Sequence, residues 1–240
     1  MTPNSRPALG LSFGYHDSSA TLIEDENKVF ADHEERFSRV KFDRRFPLGV
    51  ISWLAKEQSF LEVERVQFYE KPDLKRARLI KLLVNETILR RGINPEIIER
   101  IRLTSNTNFK SYINQQIRKF GIFPVVKFDE HHLSHAASVF YTSQIQTSAI
   151  LVVDGVGENV STSIWHGVQN DIKKLEEFKY PNSLGLFYAC FALFCGFKVN
   201  SGEYKFMGLA PYGAARYVDL IKSNYIKLFD DGNYKVKQNF

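Results

Sequence analysis

Apolar residues at the start of the chain come in short runs broken by polar turns. Ala8–Phe13 is apolar and stops at Gly14, Ala20–Ile23 follows the turn, the polar reversal "EDEN" comes next, and "KVFADH" resumes β character. This pattern predicts three strands separated by tight turns. Longer periods follow. Pro47–Gln58 reads as a helix with proline near its first turn, "VERVQFYE" as a strand, and Leu74–Arg91 as a helix that ends at Gly92. Phe109–Phe120 carries a weaker helical pattern. "PVVKFD" is a short strand that feeds directly into a helix over His131–Tyr141.

The opening pattern then returns. "AILVVDGVGENVSTSIWHG" is again an apolar strand, a turn holding Asp and Gly, and a Ser/Thr-rich strand. Ala8 corresponds to Ile150, Leu11 to Val153, Gly14 to Val156 and Leu22 to Ile164, a constant offset of 142 residues at low identity. A period of this length points to a duplicated α/β unit. The expected architecture is α/β of the actin-like ATPase, ribonuclease-H-like kind, with its first half complete and its second half partial. The lobes run over 1–147 and 148–240, and the two β-turns are placed to hold phosphates through their backbone N–H groups. A full second copy needs about as many residues after Ile150 as the first used, and the chain stops in mid-pattern at "KLFDDGNYKVKQNF". The expectation is a fragment, a split protein or a truncated product.

Composition narrows the class without deciding it. Of 240 residues, 44% are hydrophobic and 25% charged, as in ordinary globular proteins. No apolar run approaches a membrane span, and the N-terminus has no signal-peptide core, so a cytoplasmic protein away from membranes is expected. The net charge of +5 gathers in "RFSRVKFDRR" and "LKRARLIKLL". The second run reads as a solvated helix face. A basic balance suits phosphate ligands as well as nucleic acid. Cys190 and Cys195, the only cysteines, fall in the apolar run "FYACFALFCGF" and read as buried free thiols.

Three of the six histidines lie in "DEHHLSHAAS". His131 and His135, four apart on a helix, can point at one divalent cation, with further ligands needed from elsewhere. His132 points about 100° away and reads as a packing or capping residue. The strand ahead of this helix delivers the pair to a carboxyl edge, where α/β folds place ligands. In "NSGEYKFMGLAPYG", Gly202, Gly208 and Gly213 read as loop residues around Glu203 and Lys205, and Lys205 suits a phosphate. Neither a P-loop nor a dinucleotide fingerprint occurs. In "GYHDSS", His16 and Asp17 occupy the first turn, where an imidazole can act as a general base.

Together "LGLSFGYHDSSATL", "EERFSRVKFDRRFP", "HHLSHAASVFY", "ILVVDGVGENVSTSIW" and "PNSLGLFYACFALFCGFKVNSGEYKFMGLAPYG" resemble, in order, the carbamoyltransferases of the nodulation-protein and antibiotic-tailoring type. The resemblance implies an actin-like N-terminal domain related to the proteins that make threonylcarbamoyladenosine in tRNA. It also implies formation of a carbamoyl-adenylate from carbamoyl phosphate and ATP. The carbamoyl group then passes to a hydroxyl of a sugar or other small-molecule acceptor in a biosynthetic pathway. It assigns His131 and His135 to the metal, iron(II) or zinc, and His16 to the transfer step. Arg36 and Lys41 fall in a motif near the cleft, Asp154 and Gly155 in the second turn, and Glu203 and Lys205 in a substrate loop. The family's activating domain and one aspartate ligand are expected beyond residue 240, on the same polypeptide or on a separately encoded half. The isolated chain is therefore expected to bind metal weakly and not to turn over. A non-catalytic nucleotide- or acceptor-binding remnant, a tRNA-modifying relative and an actin-like sugar kinase, which would not need the histidine pair, are the competing readings; nucleic acid is not the expected partner.

Overall fold

The computed structural model describes residues 6–25, 28–88, 95–104 and 106–237. The chain divides into two compact units, Met1–Ser134 and His135–Phe240, with the cut inside a single helix. Gly92, where the sequence predicts a helix end, and part of the "EDEN" reversal lie outside the described residues.

In the first unit, strands β1 (Ala8–Ser12), β2 (Ser19–Ile23) and β3 (Val29–His33) form an antiparallel meander. Helices α1 (Glu34–Ser38) and α2 (Leu48–Leu54) and a 3-10 turn at Gln58–Glu62 lead to β4 (Arg65–Phe68), which lies parallel to β1. Helices α3 (Pro72–Ile88), α4 (Pro95–Leu103) and α5 (Asn106–Ile117) then lead to β5 (Val125–Phe128), parallel to β4. The order β3-β2-β1-β4-β5 is that of a ribonuclease-H-like sheet. Period-two burial drives it. Leu9, Leu11, Leu22, Val66 and Phe68 are buried, and they share one core with Val50, Ile51 and Leu54 of α2 and Ile113 and Ile117 of α5.

Helix α6 (His131–Phe140) leads into the second unit. There β6 (Thr147–Val153), β7 (Val160–Val168) and β8 (Asp171–Lys179) form a second antiparallel meander. Next come α7 (Leu184–Phe194), α8 (Glu203–Leu209), α9 (Val218–Asn224) and a small hairpin of β9 (Ile226–Leu228) and β10 (Tyr234–Val236).

The duplication holds at the level of register. In the first hairpin Ala8 faces Ile23 and Leu11 faces Ala20. Adding 142 to each number gives Ile150 facing Trp165 and Val153 facing Thr162, which are the pairs of the second hairpin. The correspondence ends at the third strand, where β7 and β8 carry register shifts and run for nine residues each.

Three expectations change. Cys190 and Cys195 are free but exposed, because α7 buries only the small faces of Ala189 and Ala192. The "GEYKFMGL" segment is helix α8 rather than a loop, so Gly208 is helical, while Gly202 caps the start and Gly213 closes the turn after it. The basic face of α3 is not wholly solvated: Lys75 donates to buried Glu70 at 2.8 Å and lies 5.7 Å from the Tyr15 ring. Among the described residues no helix is long and apolar enough to cross a membrane.

Candidate metal centre and the first turn

His131 and His135 stand one turn apart on α6, and Asp154 follows the last residue of β6. One ligand atom from each of the three lies within 4.8 Å of the others. Several contacts fix α6. Upstream, Ser134 Oγ donates to the Tyr69 carbonyl at 2.9 Å, Asp129 N–H donates to Phe68 O at 3.0 Å, and the His131 ring meets the Tyr69 ring at 5.4 Å. His132, 2% exposed, packs into the interior as expected of the off-face histidine. At the other end, the Phe140 ring sits directly over Gly167 of β7, where an added Cβ comes to 2.5 Å from Phe140 Cε2. Tyr141 Oη donates to the Asn170 carbonyl at 2.9 Å.

Asp154 is positioned by its own turn and by α7. Gly155 N–H donates to Asp154 Oδ1 at 2.6 Å. Ser183, the N-cap of α7, donates through Oγ to the Gly155 carbonyl at 2.6 Å and accepts from Leu186 N–H at 3.0 Å. Gly185 in the first turn of α7 packs on the Asp154–Gly155 peptide: a Cβ there falls 2.5 Å from Asp154 O and 2.7 Å from Gly155 N. Only a hydrogen fits between helix and turn. Sequence reasoning assigned Asp154 to a phosphate-binding turn and did not see Ser183 and Gly185 as its support; the signal available was the "NSLG" start of an apolar helix.

The first turn is held by the basic run. Gly14 N–H donates to Arg44 O at 2.8 Å and Ser18 N–H to Asp43 O at 2.7 Å, so residues 43–44 clamp both ends of "GYHDS". Asp43, 3% exposed, is gripped by Arg45 through Nε at 2.9 Å and Nη2 at 2.5 Å. The Arg45 guanidinium, outweighing burial, holds the Asp43 carboxyl far below the usual carboxylate range. Within the turn, His16 Nδ1–H donates to Asp17 Oδ2 at 2.8 Å, and Asp17 adopts a left-handed backbone with φ of 46°. Glu158, the residue equivalent to His16 at the same offset, is buried in the second turn.

The remaining candidates lie apart from these contacts. Arg36 is exposed and pairs with Asp32 at 2.8 Å, and Lys41 lies 5.1 Å from the Phe42 ring. Lys205 lies 5.8 Å from the Tyr204 ring. Glu203 turns back on its own loop, accepting from Asn200 N–H at 2.8 Å and Gly202 N–H at 3.2 Å. Burial raises its carboxyl, and these backbone donors together outweigh that effect and leave it below its ordinary value. The motif that carried Arg36 and Lys41 also holds a residue that sequence reasoning passed over. Buried Glu34 accepts from the N–H groups of Gly49 and Val50 at 3.0 and 3.1 Å, and so closes the start of α2.

The family described as "Carbamoyltransferase N-terminus" matches residues 7–240. The chain belongs to this family. Among its relatives is an uncharacterised protein of Synechocystis, 40% identical over 97% of this chain and 39% of that protein. Nodulation protein NolNO of Sinorhizobium fredii is 30% identical over 92% of this chain and 31% of its own length. This carbamoyltransferase-family chain thus spans about a third to two fifths of those relatives. Among solved structures it is similar to YeaZ from Pseudomonas aeruginosa, with 13% identity, 74% and 68% of the two chains covered, and a TM-score of 0.38. An Aquifex aeolicus member of the Ppx/GppA family is 16% identical over 91% and 61% of the two chains, with a TM-score of 0.39.

Proposed function

We propose that this chain is the transfer portion of an O-carbamoyltransferase. In this reading a carbamoyl-adenylate, formed from carbamoyl phosphate and ATP, gives its carbamoyl group to a hydroxyl of a small-molecule or sugar acceptor in a biosynthetic pathway. The observation that carries it is the convergence of His131, His135 and Asp154 in a chain of this family. Two imidazoles and a carboxylate suit a divalent cation, iron(II) or zinc, and leave coordination positions open. Donors at about 2.0–2.2 Å from a shared ion sit somewhat closer together than the 4.8 Å spread here, and small side-chain rotations close that gap. When bound, such an ion supplies positive charge beside the carbamoyl oxygen or the adenylate phosphate and offsets the donation of nitrogen into the carbonyl.

The chain's own residues do the rest. Gly155 N–H fixes the direction of the Asp154 carboxylate, and the start of α7 packs behind the Asp154–Gly155 peptide. Asp17 holds the His16 ring through Nδ1–H and so presents Nε2 as the atom that takes the acceptor hydroxyl's proton. The clamp from Asp43 and Arg44 keeps that turn in shape before substrate arrives. Arg36, Lys41 and Lys205 are assigned to the phosphates of the donor, and Glu203 to the shape of the loop ahead of α8. A further polypeptide, in the same chain or separately encoded, makes the adenylate.

The test is calorimetric titration of zinc, and of iron(II) under anaerobic conditions, into the chain and its variants. One ion per chain is expected, with affinity falling at least a hundredfold in His135→Ala and Asp154→Asn. A chain that binds neither metal, or variants that bind as the parent does, overturns the assignment.

A further inference from the structure

The hydrogen bond from His16 Nδ1–H to Asp17 fixes one direction of the imidazole and leaves the ring free to swing about it. The clamp at Gly14 and Ser18 acts on the main chain of the turn rather than on that ring. A second support stands beside the turn. The Tyr15 ring meets the His16 ring at 4.7 Å, with the planes tilted by 52°. Lys75 of α3 carries its ammonium over the Tyr15 ring at 5.7 Å from the centroid. A cation within about 6 Å is drawn to the face of an aromatic ring. Lys75 is itself gripped by Glu70, which accepts from Nζ through both carboxylate oxygens at 2.8 and 3.1 Å.

Exposure falls along this series toward the interior. Tyr15 and His16 are half exposed, whereas the Lys75 side chain is 20% exposed and that of Glu70 5%. An ion pair this deep adds little to stability, because desolvation of both charges offsets their attraction. What it supplies is a cation in one place. A lysine on its flexible four-carbon stem samples many positions, and a buried carboxylate that holds it with both oxygens removes that freedom. We propose that Lys75 is a positioning residue for His16, acting through Tyr15 and held by Glu70. The inference deepens the proposed function and rests on its assignment of His16 as the group that takes the acceptor's proton. Neighbouring residues serve the metal pair instead: the Tyr69 ring meets the His131 ring at 5.4 Å, and Lys71 pairs with Glu130 at 3.2 Å. All of these residues belong to the first compact unit. Residues 69–75 thus support the base and the first metal ligand through different side chains, and mutation separates the two.

Nuclear magnetic relaxation at the His16 Cδ2–Hδ2 bond of this chain tests the proposal without turnover. In the parent the ring is expected to be nearly as ordered as rigid backbone, with an order parameter of about 0.85. Lys75→Met keeps the stem and removes the charge, and the value should fall below about 0.6. Tyr15→Leu should lower it in the same way, and this variant decides the matter if Lys75→Met does not fold. Lys75→Arg, which keeps a cation over the ring, should restore the parental value. A parental order parameter in Lys75→Met or Tyr15→Leu overturns the proposal, as does a mobile ring in Lys75→Arg. Zinc titration of the same samples should give parental affinity in every variant. A tenfold loss in Lys75→Met shows support of the whole segment rather than of His16, and also overturns the proposal. A parent chain that binds no metal counts against the proposed reaction, while the ring measurement still decides the role of Lys75.

Discussion

Gly185 separates α7 from the peptide that carries Asp154, and Gly185→Ala measures how much that spacing matters. The new methyl falls 2.5 Å from Asp154 O, whereas ordinary contact begins at 3.4 Å, so helix and turn must part by about 0.9 Å. The obstacle is backbone rather than a flexible side chain, and no rotamer change relieves it. Forced overpacking of this kind costs about 1–3 kcal/mol. The same displacement acts on Ser183 Oγ, whose 2.6 Å bond to the Gly155 carbonyl ties helix to turn, and thereby on the Gly155 N–H that orients Asp154. Loss of support behind a ligand costs about 10–100-fold in metal affinity. Thermal melting and zinc titration on the same samples read both effects. Gly185→Ala should lower the melting temperature and weaken binding, while Leu186→Ala, which trims the side chain on the Gly155 side of α7 and adds no clash, should affect binding less. A Gly185→Ala protein with parental stability and affinity refutes the reasoning.

Other outcomes follow from the first unit and from α7. The Asp43 carboxyl lies below its ordinary value in the folded state, so its contribution to stability is present above about pH 4 and is lost as pH falls toward the folded value. Asp43→Asn should therefore be less stable than the parent at neutral pH, and urea midpoints should show that difference shrinking under acid conditions. Glu34→Ala leaves two N–H groups at the start of α2 without their carboxylate, and urea unfolding should show a loss of about 2–3 kcal/mol. Cys190 and Cys195 should both react with a thiol reagent in the folded chain without denaturant. One labelled cysteine, or none, contradicts the packing described for α7.

Much of this was legible in the chain. The strand pairs followed from alternation, and the constant offset foretold a register that the two hairpins share residue by residue. The histidine pair was legible because helical spacing is local. What escaped depended on contacts between distant segments. Nothing in "FDRR" announces that its carbonyls clamp a turn some thirty residues earlier, and the apolar run around Cys190 gives no sign of which face has a neighbour. Strand β8 reads DIKKLEEFK, with Ile172, Leu175 and Phe178 three apart, so it lacks the period-two alternation by which a strand is read. Asp154 was noticed but given a different partner, because its closeness to the imidazoles arises from how β6 meets α6 rather than from spacing.

Because both imidazoles ride one helix, the separation between them is set by a ruler of 5.4 Å per turn. That ruler has no fine adjustment. One residue inserted between His131 and His135 swings the later ring about 100° around the axis, and no rotamer restores it. Tolerance here is counted in whole turns, so natural length variation should be absent from these four steps and free to accumulate in the polar reversals that join the strands.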